Sequence, residues 1–215
     1  MNKEKKTAAV FGILFIVLII LLKTVDVAPV GPEGTDVGLS SLNLALREAS
    51  KADGPWYKIS SILGYLAILA GLIFPAAALA QAVRRKSVQK LDRELKAMIL
   101  LDAALAFVYV LFEVVIVNYR PVIMEGEVHP EASFPSSHTM LACVILGSIT
   151  MVLDKYIKNI GLRYFLKVLC VLLAAVIVIT RFLSGVHWFT DIIGALLISG
   201  CLLGLFADLI KEPGE

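Results

Sequence analysis

The chain has 215 residues, of which 59% are hydrophobic, and its mean hydropathy is +0.85. A soluble domain is about 45–50% apolar, so this composition, with its long uncharged runs, excludes an ordinary soluble protein and indicates a membrane protein. The net charge of +2 is too small to indicate a nucleic-acid partner. The three cysteines lie in apolar runs without a CxxC pair, which favours packing over a metal or redox role.

Six apolar segments approach the roughly 20 residues that a spanning helix needs. They lie near Thr7–Leu22, Ile59–Val83, Ala97–Asn118, Ser136–Leu153, Tyr164–Thr180 and Trp188–Ala207. The first follows a basic N-terminus, but no small-residue cleavage site comes after it, so we expect a retained helix and not a signal peptide. The sequence therefore predicts an all-α fold, a polytopic membrane helix bundle with six transmembrane helices in one domain, residues 1–215.

Lysine and arginine residues are concentrated in alternate connections between these segments. With the N-terminus inside, 14 of the 20 fall on the inner side and six on the outer side. Because inner loops carry the excess of positive charge, we expect both termini to be cytoplasmic in a multi-pass protein of the cell membrane. Three polar motifs between Phe112 and Asp191 then all lie on the extracytoplasmic side.

The longest connection, residues 23–58, has two parts. Ala28–Gly38 is rich in proline and glycine and is expected to be irregular. In Leu39–Ala52, three leucines fall on one face and three charged residues toward another: Leu39, Leu42 and Leu46 against Arg47, Lys51 and Asp53. This pattern predicts a short amphipathic helix, either at the lipid surface as the rim of a site or packed over the bundle.

The third motif combines His187 and Asp191 with Arg181. The i, i+4 spacing of His187 and Asp191 places them on one helix face. An aspartate there can accept the proton of one imidazole nitrogen, which leaves the other nitrogen free to attack phosphorus. His187 alone would fit an interfacial residue beside Trp188 in an aromatic belt. Together with Asp191 and Arg181, it favours a site.

The second motif is Pro135-Ser136-Ser137-His138, at the start of the fourth segment. Proline suits the first turn of a helix, and free backbone N–H groups with small hydroxyl residues form an anion cradle there. Ordinary helix capping explains the serines equally well, but it does not explain His138.

The first motif, Arg120-Pro121, follows the third segment. An arginine can bind two phosphate oxygens at once, although a boundary arginine before a helix-ending proline would look the same. At about 100° per residue, Glu113 and Asp102 fall on the same helix face as Arg120, which predicts a polar stripe on the third segment. Glu113 would then be able to pair with either arginine, and Asp102 would make a structural contact deeper in the bundle.

These motifs resemble those of the type-2 phosphatidic acid phosphatases, the lipid phosphate phosphatases, whose active site is shared by vanadium haloperoxidases. The family pattern is Lys, six residues, Arg-Pro; then Pro-Ser-Gly-His; then Ser-Arg, five residues, His, three residues, Asp. The chain matches it with Arg120 and Pro121, with Pro135, Ser136 and His138, and with Arg181, His187 and Asp191. Ser137 stands at the glycine position and Thr180 at the serine position. Six spans with an outer site also fit, so the resemblance covers nearly the whole chain.

The resemblance implies a metal-independent lipid phosphate phosphatase that needs no cofactor and acts on a membrane lipid phosphate in the bilayer. It implies that His187, oriented by Asp191, attacks phosphorus and forms a phosphohistidine. It also implies that His138 protonates the leaving group and then activates water. The phosphate-binding residues would be Arg120, Ser136, Ser137 and Arg181. Phosphatidate, phosphatidylglycerophosphate and polyprenyl diphosphate all remain open as substrates.

One departure from the family pattern changes a charge, because Glu113 stands where the family has its leading lysine. Three consequences are open: Glu113 positions Arg120 or Arg181 while another cation, Lys58 or a substrate group, fills the gap; the site prefers a monoester to a diphosphate; or catalysis is weak or absent. A rival interpretation is therefore a catalytically weakened protein that binds or transports a lipid phosphate. The GxxxG pattern at Gly200–Gly204 marks a helix interface, either inside the bundle or in a homo-oligomer.

Overall fold

The computed structural model describes residues 2–50 and 54–211; Lys51, Ala52 and Asp53 of the predicted amphipathic segment lie outside the described residues. The described chain is helical, apart from its connections. Its helices are α1 Lys3–Thr24, α2 Ser40–Ala49, α3 Trp56–Gly71, α4 Ile73–Arg85, α5 Arg93–Val114, α6 Ser137–Tyr156, α7 Ile160–Leu183 and α8 Phe189–Ile210.

Six spans among the described residues are long and apolar enough to cross a membrane, as predicted. The second of them, Trp56–Arg85, is interrupted between α3 and α4 at Leu72. Pro75 explains the break, because it lacks the N–H group that would bond the carbonyl of Gly71 four residues earlier. Gly71 also lets α3 approach α6 closely, since a Cβ there would lie 2.9 Å from Ile145 Cγ2.

The centre of the bundle is α6. Its apolar stretch is 56% buried, against 17–39% for the other five spans. Lipid is as apolar as these side chains, so helix association in a bilayer depends on close packing. At Gly200 a Cβ would lie 2.8 Å from the Phe11 ring, and at Gly204 it would lie 3.0 Å from Ala8. The GxxxG pair therefore forms the contact of α8 with α1 inside the chain.

The short helix α2 lies over one end of the bundle. Asn43 is fully buried and donates to the carbonyl of Gly38 at 2.9 Å and to Thr190 Oγ1 at 3.0 Å. Leu42 on the same helix is 45% exposed. A polar side chain thus attaches α2 to the bundle while Leu42 faces away from it, an arrangement that is compatible with both interpretations.

The third span ends at Val114, four residues before the predicted end at Asn118. The next residues continue a β-branched run, Val114 to Val117, and such residues are poor helix formers. Their carbonyls are satisfied from outside, since Lys23 Nζ donates to Ile116 O at 3.2 Å and to Val117 O at 2.8 Å. Arg120 is therefore not helical, and the predicted polar stripe from Asp102 through Glu113 to Arg120 is wrong.

Candidate active site

The three motifs meet at one end of the bundle. The first follows α5, the second lies at the start of α6, and the third extends from the end of α7 to the start of α8. Arg120 Nη1 lies 3.4 Å from His187 Nε2, which joins the first motif to the third. Arg181 Nη2 lies 2.9 Å from His138 Nδ1, which joins the third motif to the second. The structure thus brings together both histidines and both arginines that the sequence singled out.

A short antiparallel ladder in the connection between α5 and α6 positions Arg120. Its central bridge pairs Tyr119 with Ala132. The N–H of Arg120 donates to Glu131 O and the N–H of Ser133 donates to Asn118 O, both at 2.9 Å. The ladder therefore holds Arg120 on one strand and Ser133 on the other at the edge of the site.

His187 is buried at the entry to α8, and its two nitrogens face different surroundings. Nδ1 lies 3.1 Å from Ser133 Oγ, whereas the nearest oxygen of Asp191 lies 3.8 Å away. Since a hydrogen bond spans about 2.7–3.2 Å, the predicted direct contact of His187 with Asp191 is not formed. Nε2 faces Arg120 instead.

Asp191 is fully buried in the first turn of α8 and is surrounded by donors. Its Oδ2 accepts from the N–H of Trp188 at 2.9 Å and from Ser133 Oγ at 2.5 Å. Its Oδ1 accepts from Asn118 Nδ2 at 3.3 Å. These donors satisfy the hydrogen-bonding capacity of a carboxylate that is buried away from solvent, and they fix its position at the base of the site.

The pKa of His187, which lies in the loop between α7 and α8, is lowered well below its ordinary value. Burial is the main cause, and the positive charges of Arg120 and Arg181 add to it. His187 is therefore neutral at pH 7, as a nucleophilic imidazole must be.

Arg181 is 1% exposed and is held by α3 as well as by His138. Its Nη1 donates to Ser60 Oγ at 3.2 Å, and its guanidinium carbon lies 5.0 Å from the centre of the Tyr57 ring. Because an arginine only donates, His138 Nδ1 must accept from Nη2, so the ring of His138 is neutral and protonated on Nε2. No sequence motif pointed to Ser60 or Tyr57.

The two predicted phosphate-binding serines have different surroundings. Ser136 donates its N–H to Asp191 O and its hydroxyl to Thr139 Oγ1, both at 3.0 Å. Ser137 lines a small pocket together with Arg120 and His187. Within the described part of the chain, the N–H groups of residues 137–139 have no hydrogen-bond partner. The free donors that the predicted anion cradle requires are therefore present in the first turn of α6, whereas both donors of Ser136 are used in hydrogen bonds within the protein.

The sequence profile of the PAP2 superfamily matches residues 103–213, which is more than half of the chain. This chain belongs to the PAP2 superfamily. The resemblance to type-2 phosphatidic acid phosphatases is thereby confirmed. No curated protein matches the chain at a significant level.

The fold of this PAP2 chain is similar to that of a solved structure, described as the crystal structure of the first transmembrane PAP2 type phosphatidylglycerolphosphate phosphatase from Bacillus subtilis. The TM-score is 0.66 at 18% sequence identity, and the match covers 94% of each chain. At this identity the match shows that the two proteins share a transmembrane fold. Since it covers 94% of the chain, the structural match extends well beyond the residues that the profile matches.

Glu113, the departure from the family pattern, lines the same pocket as Arg120 and His187. It makes no ion pair within 4.0 Å with any residue in the described ranges, so the pairing with an arginine that the sequence allowed is not formed in this structure. The acidic partner of Arg120 is Glu131, whose Oε2 lies 2.9 Å from Arg120 Nε without the alignment of a hydrogen bond. Glu113 therefore adds a second carboxylate to the surroundings of this PAP2 pocket, in addition to Glu131, which already pairs with Arg120.

Proposed function

We propose that this PAP2 protein is an integral membrane lipid phosphatase. It hydrolyses a phosphate ester or diphosphate of a membrane lipid through a phosphohistidine, without a metal ion. The observation that carries the proposal is the state of His187. This buried, neutral imidazole has Nδ1 beside a hydroxyl oxygen and directs Nε2 toward a guanidinium group in a pocket.

Phosphate binding rests on Arg120 and on the free N–H groups in the first turn of α6. His187 Nε2 then attacks phosphorus, and the bond from phosphorus to the leaving oxygen breaks with its electron pair. His138 gives a proton to that oxygen. Water later attacks the phosphohistidine, gives a proton to His138, and releases phosphate and neutral His187.

Arg181 links binding to this proton transfer. In the present arrangement it donates to His138 Nδ1, which keeps that nitrogen unprotonated. Phosphate offers Arg181 a stronger, charged acceptor. When Arg181 turns toward the phosphate, Nδ1 is free to take a proton from the protonated phosphate group of the entering substrate, and the resulting imidazolium of His138 is an effective acid.

A lipid substrate is supported by an apolar cleft beside the site. The cleft has a volume of about 460 Å³ and lies between the α3–α4 break, α5 and α6. Its apolar lining includes Ile68, Leu105, Ala106, Leu141 and Ile145. Tyr109 lines both this cleft and the pocket of His187. A hydrocarbon chain in the cleft therefore has its polar end near the nucleophile.

Filling this cleft is expected to impair long lipids selectively. Ala106→Phe should lower kcat/KM for a long-chain phosphatidate several-fold, because the ring occupies space in the cleft. Turnover of a water-soluble short-chain phosphate should change little. The matched control is Val110→Phe, one turn away on α5 at a position that is 59% exposed. Equal losses on both substrates would contradict a tail-binding role for the cleft.

Charge in the pocket is expected to limit phosphate binding. Glu113→Lys should raise kcat/KM for a lipid diphosphate by more than fivefold, because it changes the charge by two units and one unit-charge interaction over a few ångströms in a wet site is about 1 kcal/mol, or roughly fivefold. Glu113→Gln removes the negative charge without adding a positive one and should give a smaller gain. A large loss in both variants would show instead that the carboxylate has a role of its own.

The direct test is phosphate release from a panel of lipid monophosphates and diphosphates by the detergent-solubilised protein, with EDTA present. Release that resists EDTA supports the proposal, and the order of rates identifies the substrate. Glu113 in the pocket favours the second candidate function, a lipid-phosphate binding or transport protein. Binding of the same lipids without any release would establish that alternative.

We propose further that the whole chain, residues 1–215, is one membrane-embedded domain with both termini cytoplasmic and the site on the outer face. The excess of inner positive charge supports this orientation. In a cysteine-free background, Glu125→Cys next to the site and Lys86→Cys at the opposite end are both exposed positions. A membrane-impermeant thiol reagent applied to whole cells should label the first and spare the second.

A further inference from the structure

We propose that Ser133 is a positioning residue for the nucleophile, because its hydroxyl couples His187 to Asp191 in a three-residue relay. This inference rests on the proposed function, in which His187 attacks phosphorus. Ser133 lies outside the second motif, two residues before Pro135, and the motif pattern assigns it no role.

The distances require an intermediary. His187 Nδ1 is 3.8 Å from the nearest Asp191 oxygen, which is too far for a hydrogen bond. Ser133 Oγ lies between them, 3.1 Å from His187 Nδ1 and 2.5 Å from Asp191 Oδ2. Ser133 is 3% exposed, so water has little access to compete for either contact.

The relay also sets the direction of every proton in it. Asp191, as a carboxylate, only accepts, so the single hydroxyl proton of Ser133 is directed to Oδ2. Ser133 Oγ then presents a lone pair to His187, and Nδ1 must carry the ring proton. The lone pair of His187 is therefore on Nε2, which faces Arg120 in the pocket.

The backbone holds Ser133 in place for this role. Its N–H donates to Asn118 O at 2.9 Å, in the ladder that also carries Arg120. Asn118 in turn donates its side-chain amide to Asp191 Oδ1 at 3.3 Å. Asn118 thus holds both Ser133 and Asp191 in place, the first through its backbone carbonyl and the second through its side chain.

The relay stabilises the charge that forms during transfer. When Nε2 bonds to phosphorus and the bond to the leaving oxygen breaks, the ring of His187 becomes a phosphoimidazolium that keeps its proton on Nδ1. That N–H donates to Ser133 Oγ, and the hydroxyl dipole is aligned by Asp191. No proton leaves His187 in this step, and none passes to Asp191.

The test combines nitrogen NMR with kinetics. The chain has three histidines, so the ring signals of His187 in protein labelled with ¹⁵N-histidine are assigned by their loss in His187→Gln. We expect the Nδ1–H tautomer in the wild type. In Ser133→Ala we expect the Nε2–H tautomer or a mixture, because the acceptor on Nδ1 is lost. This readout does not depend on turnover, so it still decides the inference if the wild type hydrolyses no lipid phosphate.

Kinetics supply the second readout. Ser133→Ala should lower kcat about 10–100-fold, the range for a lost orienting partner, and should leave the inhibition constant of inorganic phosphate within twofold. Ser133→Thr, which keeps the hydroxyl, should recover most of the loss. The control is Ser199→Ala, since Ser199 is buried in α8 and donates to Ala195 O at 2.6 Å, away from the motifs. An unchanged tautomer, or an unchanged kcat in an active enzyme, would overturn the relay.

Discussion

Lipid phosphate hydrolysis is expected to fall by at least ~10⁴-fold in His187→Gln, because the reaction then has no nucleophile. Glutamine fills a similar volume at this buried position, and its amide nitrogen has no lone pair available for attack on phosphorus. The same variant should fail to form the acid-labile phosphoenzyme that the wild type forms with labelled substrate. Phosphate release and rapid-quench trapping measure the two effects separately.

The control for this experiment is the remaining histidine outside the site. The side chain of His129 is 77% exposed in the loop before α6 and pairs with Glu33 at 3.1 Å. His129→Gln should therefore retain turnover close to that of the wild type. If His187→Gln also retained it, His187 would not be the nucleophile, and the proposed phosphohistidine would be wrong.

Hydropathy and motif order predict the number of spans and the end of the bundle at which the motifs lie, because both depend on local sequence. Each apolar run is long enough to cross the bilayer, and successive runs reverse direction. Arg120, His138 and His187 each lie next to a run end that faces the same way. Because successive spans alternate in direction, counting the spans is enough to place these residues at one end of the bundle. It requires no knowledge of how the helices pack.

The connection between α5 and α6 could not be predicted in the same way. Extending α5 to Arg120 assumed that helical geometry continues through four β-branched residues, whereas α5 ends at Val114. What replaces the helix is a ladder between residues that are more than ten positions apart. The β-branched run was the available signal that the helix would end, but nothing local indicates the pairing of Tyr119 with Ala132.

The further residues that contact the predicted site residues come from tertiary contacts. Ser133 lies outside the three motifs, and Asn118 stands at the end of a predicted span. Both contact Asp191. Ser60 reaches Arg181 from α3, across a sequence separation of 121 residues. The i, i+4 spacing predicts that His187 and Asp191 share a helix face, but α8 begins at Phe189 and His187 lies in the loop before it. The two side chains are 3.8 Å apart, and Ser133 lies between them.

His138→Ala is expected to lower turnover of a lipid phosphate by roughly 10³-fold, the usual size of general acid catalysis. A lipid alkoxide is a poor leaving group and needs the proton that His138 supplies. A nitrophenolate leaves without protonation, so the first chemical step on p-nitrophenyl phosphate should be slowed far less. The second step, attack of water on the phosphohistidine, also uses His138 and remains slow with either substrate.

This combination gives a distinctive time course. With p-nitrophenyl phosphate, His138→Ala should release a burst of about one nitrophenol per active site and then nearly stop, while phosphoenzyme accumulates. His187→Gln should give no burst, because it cannot form the phosphoenzyme at all. Equal losses on the lipid and the nitrophenyl substrate, with no burst, would show that His138 is not the acid. Its contact with Arg181 at 2.9 Å would then serve to position that arginine.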